Sequence, residues 1–267
     1  MQKKTAAKPL VSIIINCHNG EKYLNESLNS VFNQTYKNFE VIFFNNYSND
    51  NSEKILKKFS DKRIKYFKSK KLYNLYNARN LAINKAKGKY ITFIDVDDIW
   101  NKNKLEKQID FLNKNKQFKI VYSNYSSLKK NKKNLIYKKN LPSGNITQQL
   151  LSEYCIGILT IMMCRDIFTK NRFNNKYNII GDFDLFVKLS KLYKIGSIQK
   201  PLALYRIHEE NLSKKKNYLY IMELNDWFRN NKKEYQNQKF DLKQFRNFLI
   251  KKKIKYYLNK LLFKKLN

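Results

Sequence analysis

The sequence predicts an α/β fold: a mostly parallel sheet covered by helices on both faces, with a basic helical extension at its C-terminus. Three observations predict it. Short β-branched and aromatic runs, VSIII, FEVIFF and YITFI, are apolar at successive positions, as strands buried on both faces are. They alternate with segments whose apolar residues recur every three or four positions, the βαβ pattern. The chain's 267 residues, 42% hydrophobic and 15% aromatic, suffice for one substantial core.

Val11 to Ile15 is the first strand, bounded by Asn16 and Gly20. Tyr23, Leu24, Leu28, Val31 and Phe32 mark the helix after it, with Asn19 as its cap and Gly20 at its entry. Phe39 to Phe44 is the second strand, Ser52, Ile55, Leu56 and Phe59 the second helix, and Arg63 to Phe67 the third strand. Ala78, Leu81, Ala82 and Ala86 form a helix closed by Gly88, and Tyr90 to Ile94 is a strand that ends abruptly in acids.

A helix over Lys102 to Asn113 leads to a strand at Lys119 to Ser123 and a hairpin-like region around Lys129 to Asn134. Further strands are expected at Ile158 to Cys164 and Leu202 to Ile207, with a helix between them at Asp182 to Leu192. From Lys214 the pattern is helical and polar, with 16 basic residues against four acidic ones, and no internal repeat is present. The expected organisation is an N-terminal tail over 1–9, a main domain over 10–213 with halves 10–98 and 99–213, and the extension over 214–267.

Composition excludes collagen-like, low-complexity and disulfide-scaffold classes. Cys17, Cys155 and Cys164 are odd in number and lack CxxC spacing, so they read as free thiols rather than a disulfide framework or a zinc site. The apolar run from Cys155 to Cys164 is about half of what a membrane span needs, and the N-terminus carries no signal-peptide core, so a cytoplasmic location is expected. The formal charge of +34 calls for an anionic partner: a phosphorylated ligand, an acidic lipid surface or a nucleic acid. No recognised nucleic-acid motif is present, and the acidic cluster described next would repel phosphates without a metal, so nucleic acid is not the expected partner.

In an open parallel sheet, ligands bind beyond the carboxyl ends of the strands. Those positions here carry Asn16-Cys17-His18-Asn19-Gly20, Asn45-Asn46-Tyr47-Ser48-Asn49-Asp50 and Asp95-Val96-Asp97-Asp98. Three carboxylates in four residues repel one another unless a cation or a cluster of donors sits among them. Hard oxygen ligands suit Mg2+ or Mn2+, whose shells substrate phosphates complete. The plainer reading makes Asp97 and Asp98 caps of the helix before Leu105.

These residues resemble those of family-2 glycosyltransferases, which have the Rossmann-like, nucleotide-sugar-binding GT-A fold. VSIIINCHNGEKYLNESLNSVFNQTYKNFEVIFFNNYSND is similar to the family's nucleotide-binding start. NARNLAINKAKGKYITFIDVDD is similar to its second block, which ends in the DxD metal motif. GDFDLFVKLS is similar to the block bearing the catalytic base, and PLALYRIHEENLS to the segment that closes the domain. The four blocks run in order over roughly Leu10 to Ser213.

The resemblance implies that Asp97 binds a metal on the diphosphate and that Asp95 supports the ribose and the metal shell. It implies that Asp98 faces a sugar and that Asp182 is the general base. Asn16, His18 and Asn46 fall where the family grips the base, Arg79 where a basic side chain approaches the nucleotide, and His208 near the diphosphate and metal. Taken alone, Asp182 also reads as a helix cap, His208 as a packed histidine and Arg79 as a surface helix residue. The family usually has an acid in the second strand's loop, whereas this chain has Asn45 and Asn46; an amide still accepts and donates.

The expected reaction is a single, inverting displacement at the anomeric carbon of a nucleotide-diphospho-sugar, UDP-linked, with a saccharide or lipid-linked acceptor. In the tail, Ile254, Tyr257, Leu258 and Leu261 recur at helical spacing among lysines. This stripe either lies on an anionic membrane surface or packs on the main domain.

Overall fold

Strand residues divide between two helical layers, and that division positions the site. The structure is a computed structural model that describes residues 8–265, except for the side chains of 213 and 259–265. The tail expected over 1–9 therefore lies mostly outside the described residues. β1 (Val11–Cys17), β2 (Phe39–Asn45), β3 (Ile64–Lys68) and β4 (Tyr90–Phe93) pair in parallel in the order β3-β2-β1-β4. Successive side chains of a strand point to opposite faces. Ile13, Ile15, Val41 and Phe43 thus pack with α1 (Glu21–Phe32) and α4 (Lys104–Lys114), through Leu24, Leu28, Leu105 and Ile109. Ile14, Ile42, Ile91 and Phe93 pack on the other face against α3 (Leu75–Ile83) and α6 (Gly181–Leu192). Each fully buried aliphatic side chain contributes about 1.5–3 kcal/mol, which is why the continuous apolar runs became strands.

The sheet continues beyond β4. β5 (Ile99–Trp100), β6 (Ile120–Lys129), β7 (Lys132–Leu135), β8 (Met162–Cys164) and β9 (Ile195–Arg206) extend the order to β4-β8-β6-β9-β5, with β7 hairpinned onto β6. β6 and β9 run parallel, while β8 runs antiparallel to both β4 and β6. The hairpin turns at Lys130 and Asn131, both at positive φ (45° and 64°).

The second half departs from the sequence reading. The strand expected at Ile158 to Cys164 is a 3-10 turn over Ile158–Thr160 and a three-residue strand, because Thr160 closes that turn onto Gly157 through both backbone and hydroxyl. β9 starts seven residues earlier than expected and is irregular opposite β6 between Ser123 and Ser126. β5 and α5 (Thr147–Ser152) were not foreseen. The second helix, α2 (Ser52–Lys57), stops before Phe59.

After α7 (Leu212–Lys215), α8 (Asn217–Asn237) and α9 (Lys243–Lys265) form the extension. It packs through Leu224, Trp227, Phe245 and Leu249, and the ring of Phe183 stacks on Phe245 at 5.5 Å between centroids. Ile254, Tyr257 and Leu258 are not packed; each is more than half exposed. The side chain of Leu261 lies outside the described residues. No described helix is long and apolar enough to cross a membrane.

Candidate active site

The loops after β1 and β2 are laced together by polar side chains. The cap expected from Asn19 comes instead from the neighbouring loop: Gly20 N–H donates to Ser52 Oγ (2.9 Å) and Glu21 N–H to Asp50 Oδ2 (2.9 Å). Asn19 sits in the left-handed region (φ 55°), which asparagine tolerates, and its Oδ1 accepts from Asn49 N–H. Asn51 N–H donates to Glu21 Oε2, closing the reciprocal arrangement.

The residues expected to grip a base, Asn16, His18 and Asn46, all line one cleft and differ in how far neighbours engage them. Asn16 Nδ2 is buried, lines the cleft and has no partner among the described residues. A buried donor left unmade costs about 1–3 kcal/mol, a cost that an acceptor entering the cleft would relieve. His18 lines the same cleft, its Nδ1 lying 3.1 Å from the Asn46 carbonyl. Asn46 also lines the cleft, and its amide is part-engaged: Nδ2 donates to the Tyr73 carbonyl (2.9 Å) and Oδ1 accepts from Tyr73 N–H (3.0 Å), which leaves one N–H and one lone pair. Asn45 is engaged likewise, by Tyr66 and Ser48 N–H. The amides of Asn45 and Asn46 therefore fasten neighbouring segments, and Tyr73, which no sequence pattern singled out, stands at the cleft wall.

The three aspartates after β4 do not form one cage. Among the described residues, no group of three or more His, Cys, Asp and Glu side chains converges on a metal-sized site. Each carboxylate has its own partner, which relieves the repulsion expected of DVDD. Arg79 donates to Asp95 Oδ1 at 2.6 Å, His208 Nε2 lies 2.8 Å from Asp97 Oδ2, and Asp98 Oδ1 accepts Arg206 N–H at 3.1 Å.

Arg79, expected beside the nucleotide, is buried, with its guanidinium 5.4 Å from the Tyr76 ring centre, and it is committed to Asp95. Asp98, expected to face a sugar, is 1% exposed and ties β4 to β9. Burial and the neighbouring aspartates push its carboxyl well above the usual range. The helix-cap reading of Asp97 and Asp98 fails, because α4 begins only at Lys104.

Asp97 lines the cleft, with His208 beside it. Burial, then the charge of Asp95, raises the Asp97 carboxyl, while His208 opposes the rise. A carboxylate oxygen with an imidazole nitrogen beside it fits a divalent cation that takes one or two protein ligands and fills its shell from phosphates. Asp95, whose Oδ1 holds Arg79, has only its other oxygen to add. Arg206 and Asn211 were missed as supports. Arg206 Nε donates to the Asp97 carbonyl (2.9 Å), and Asn211 Oδ1 accepts His208 N–H (2.8 Å). The signal was their closeness to His208 in sequence.

Asp182 lines the same cleft at the second position of α6, past the cap residue Ile180, so it is not the cap. The Tyr76 hydroxyl lies 3.1 Å from its Oδ1 and 2.6 Å from the Ile179 carbonyl, with one proton to share. Burial raises the Asp182 carboxyl above its ordinary value, with Arg79 and Tyr76 holding the rise in check. A side chain at Gly181 would meet Tyr76 at 2.6 Å, so glycine there lets α6 approach α3.

Asn16, His18, Asn46, Arg79, Asp95, Asp97, Asp98 and Asp182 thus all line one cleft of about 1140 Å³, which residues of α8 and α9 also line. The sequence reading did not anticipate the latter. They include Tyr220, Phe248 and Lys252.

The glycosyl transferase family 2 model matches residues 12–172. UDP-Glc:alpha-D-GlcNAc-diphosphoundecaprenol beta-1,3-glucosyltransferase WfgD of Escherichia coli is 33% identical over 209 residues, 78% of this chain and 81% of that protein. Other relatives are longer, the chain spanning about a third (31%) of one of them. Staphylococcus aureus TarS 1–349 in complex with UDP-GlcNAc superposes with a TM-score of 0.63 at 20% identity, over 75% of this chain and 59% of that one. Mannosyltransferase PcManGT from Pyrobaculum calidifontis, in complex with GDP-Man and Mn2+, gives 0.63 at 12% identity, over 84% and 65%. The GT-A architecture is common to all three structures.

Proposed function

The chain belongs to glycosyl transferase family 2, and on that premise we propose that it is an inverting enzyme acting in cell-surface polysaccharide or glycolipid synthesis. It moves a sugar from a UDP-linked donor to a hydroxyl of a saccharide or lipid-linked acceptor. The observation that carries this reading is one cleft lined by an unpartnered buried donor at Asn16, by Asp97, against which His208 stands, and by a part-buried carboxylate at Asp182. The UDP-sugar named for the Escherichia coli relative and the ligand of the TarS structure support the choice of base.

Asn16 and the His18 ring receive the nucleobase end. Asp97 and His208, with the second oxygen of Asp95, hold Mg2+ or Mn2+, which when bound supplies positive charge to the departing diphosphate. Arg79 keeps Asp95 oriented, and Asn211 keeps His208 oriented. Asp182 accepts the proton of the acceptor hydroxyl as its oxygen attacks the anomeric carbon. The bond to the diphosphate breaks in the same step, so the configuration inverts. The base is positioned by Tyr76 and by the close approach of Gly181.

We also read the outer face of α9 as a contact for an anionic membrane surface, at the inner face of the cell membrane. Ile250, Ile254, Tyr257 and Leu258 are exposed there, on the side opposite Phe245 and Leu249 by helical spacing, with Lys251 and Lys255 among them. Ile254→Ser/Leu258→Ser is expected to reduce co-sedimentation with vesicles containing phosphatidylglycerol; unchanged sedimentation refutes this contact.

The donor reading is tested by thermal stabilisation with UDP, GDP, CDP and dTDP, each with and without Mn2+. A ligand at about 100 times its Kd adds roughly 2.7 kcal/mol. UDP with Mn2+ is expected to give that shift and Asp97→Ala to lose it; no shift with any diphosphate overturns the reading.

A further inference from the structure

One face of α1 meets both the acidic loop after β4 and the end of β9. Gly20, at the start of α1, stands so near that loop that a side chain there would meet Val96 at 2.8 Å. Tyr23, Glu26 and Ser27 follow at the three- and four-residue spacing that puts side chains on one helical face. Ser27 Oγ donates to the Asp95 carbonyl (3.3 Å), and Glu26 pairs with Arg206. The Tyr23 ring centre lies 4.7 Å from the Arg206 guanidinium carbon and 4.9 Å from the His208 ring centre, with the two rings tilted by 41°. One ring thus packs against the side chain that holds the Asp97 carbonyl and against the one that meets the Asp97 carboxylate.

A histidine that meets a metal is ordinarily held through its second ring nitrogen, which donates to a carboxylate or a carbonyl. His208 lacks that support: its Nδ1 is buried and has no partner among the described residues. Asn211 accepts the His208 backbone N–H and stands 3.2 Å from Nε2, and Asp97 meets the same nitrogen. These contacts hold the backbone and one edge of the imidazole. Rotation about Cβ–Cγ, a torsion with broad wells, is left to what packs on the ring, and Tyr23 packs there. The Glu26 carboxylate is more than half exposed, and an ion pair open to solvent contributes little.

We propose that Tyr23 is a positioning residue of the Asp97–His208 pair: its ring plane keeps the imidazole turned so that Nε2 and the Asp97 carboxylate face the same point. The role rests on the reading above that this pair holds Mg2+ or Mn2+. It requires the aromatic plane and not the hydroxyl. Tyr23 does not itself line the cleft, so it acts through His208 and not on a substrate.

The test is calorimetric titration of Mn2+ into protein saturated with UDP, with UDP affinity measured separately in the absence of metal. Tyr23→Leu is expected to weaken Mn2+ binding about tenfold or more, as loss of a ligand's supporting contact does. Tyr23→Phe is expected to bind Mn2+ as the parent does, and Glu26→Gln to lose a few fold at most. Metal-free UDP affinity is expected to be the same in all four proteins. Parent-like Mn2+ affinity in Tyr23→Leu overturns the role and leaves the metal reading standing. An equal loss in Tyr23→Phe overturns it too, and so does a metal-free UDP affinity that falls by the same factor as the Mn2+ affinity. Tyr23→Met, which keeps bulk without a plane, replaces the leucine variant if that one does not fold. A parent that binds UDP but no Mn2+ refutes the metal reading, and the positioning role falls with it.

Discussion

At the scale of single residues, burial shifts two ionisable groups in opposite directions, and both signatures rise with pH. Asp182 has its carboxyl raised by burial, so the base is competent only above that raised value. The acid limb of the rate is expected above the ordinary carboxylate range. Tyr76→Phe removes a hydrogen bond that stabilises the charged form and moves the limb further up. Asp182→Asn is expected to cost about a hundredfold or more in turnover, with the UDP–Mn2+ thermal shift retained; near-normal transfer would remove Asp182 from the role.

Lys104 is buried with no acidic partner among the described residues, its Nζ held by Thr92 Oγ1 (2.9 Å) and Gln108 Oε1 (2.8 Å) and lying 4.0 Å from the Trp100 ring centre. Burial pushes its pKa well down. Between that lowered value and the ordinary lysine value, the unfolded chain holds the proton that the folded chain has lost. Stability therefore rises with pH across this window. Lys104→Met is expected to abolish that alkaline rise in urea titrations at several pH values.

Residue identity was the most legible layer of the sequence, and residue role the least. Asn46 and Arg79 occupy positions that look ligand-facing in a linear pattern. Only the fold reveals that Tyr73 and Asp95 take up part of their hydrogen-bonding capacity.

Among elements, the legible ones were those buried on both faces. Val11 to Ile15 and Phe39 to Phe44 are apolar at successive positions because helices cover both their sides. The first residues of β9, IGSIQKP, read as loop because Ser197, Ile198, Gln199 and Lys200 are part-buried or exposed. β5 is two residues long and exists through its pairing with Leu204 and Ala203, a long-range cause that no local window contains.

The same holds for the join between α6 and α8. Buried Glu223 accepts from the backbone N–H groups of Asn178, Ile179 and Ile180 at 2.7–3.2 Å, immediately before the Asp182 helix. Trp227 Nε1 donates to Asp184 Oδ1 on that helix. Glu223→Ala leaves three donors orphaned, each worth about 1–3 kcal/mol. It is expected to destabilise the protein by at least about 2 kcal/mol in urea unfolding, whereas Glu223→Asp restores part of the loss.

At the scale of the whole molecule, the formal charge of +34 is partly a general background of lysine and partly concentrated after residue 214. Vesicle binding through α9 is therefore expected to fall steeply as salt rises and the Debye length shrinks below about 8 Å. A version with Lys251 and Lys255 replaced by glutamine is expected to show a shallower salt dependence, measured by co-sedimentation between 50 and 300 mM NaCl (roughly the span over which screening doubles in strength).

The join between Glu223 and the segment before Asp182 bears on how such proteins diversify. Asp182 and the Glu223 that holds the segment before it both lie after Tyr154, while Tyr76, which touches Asp182, lies far before it; His208 reaches back in the same way to Asp97. Recombination between relatives at a single crossover in the middle of the chain would therefore keep Asp182 with Glu223 but part it from Tyr76, and would part His208 from Asp97. A crossover inside the last third would separate Glu223 from the backbone amides it holds, and would select for compensating changes there before any new specificity could spread.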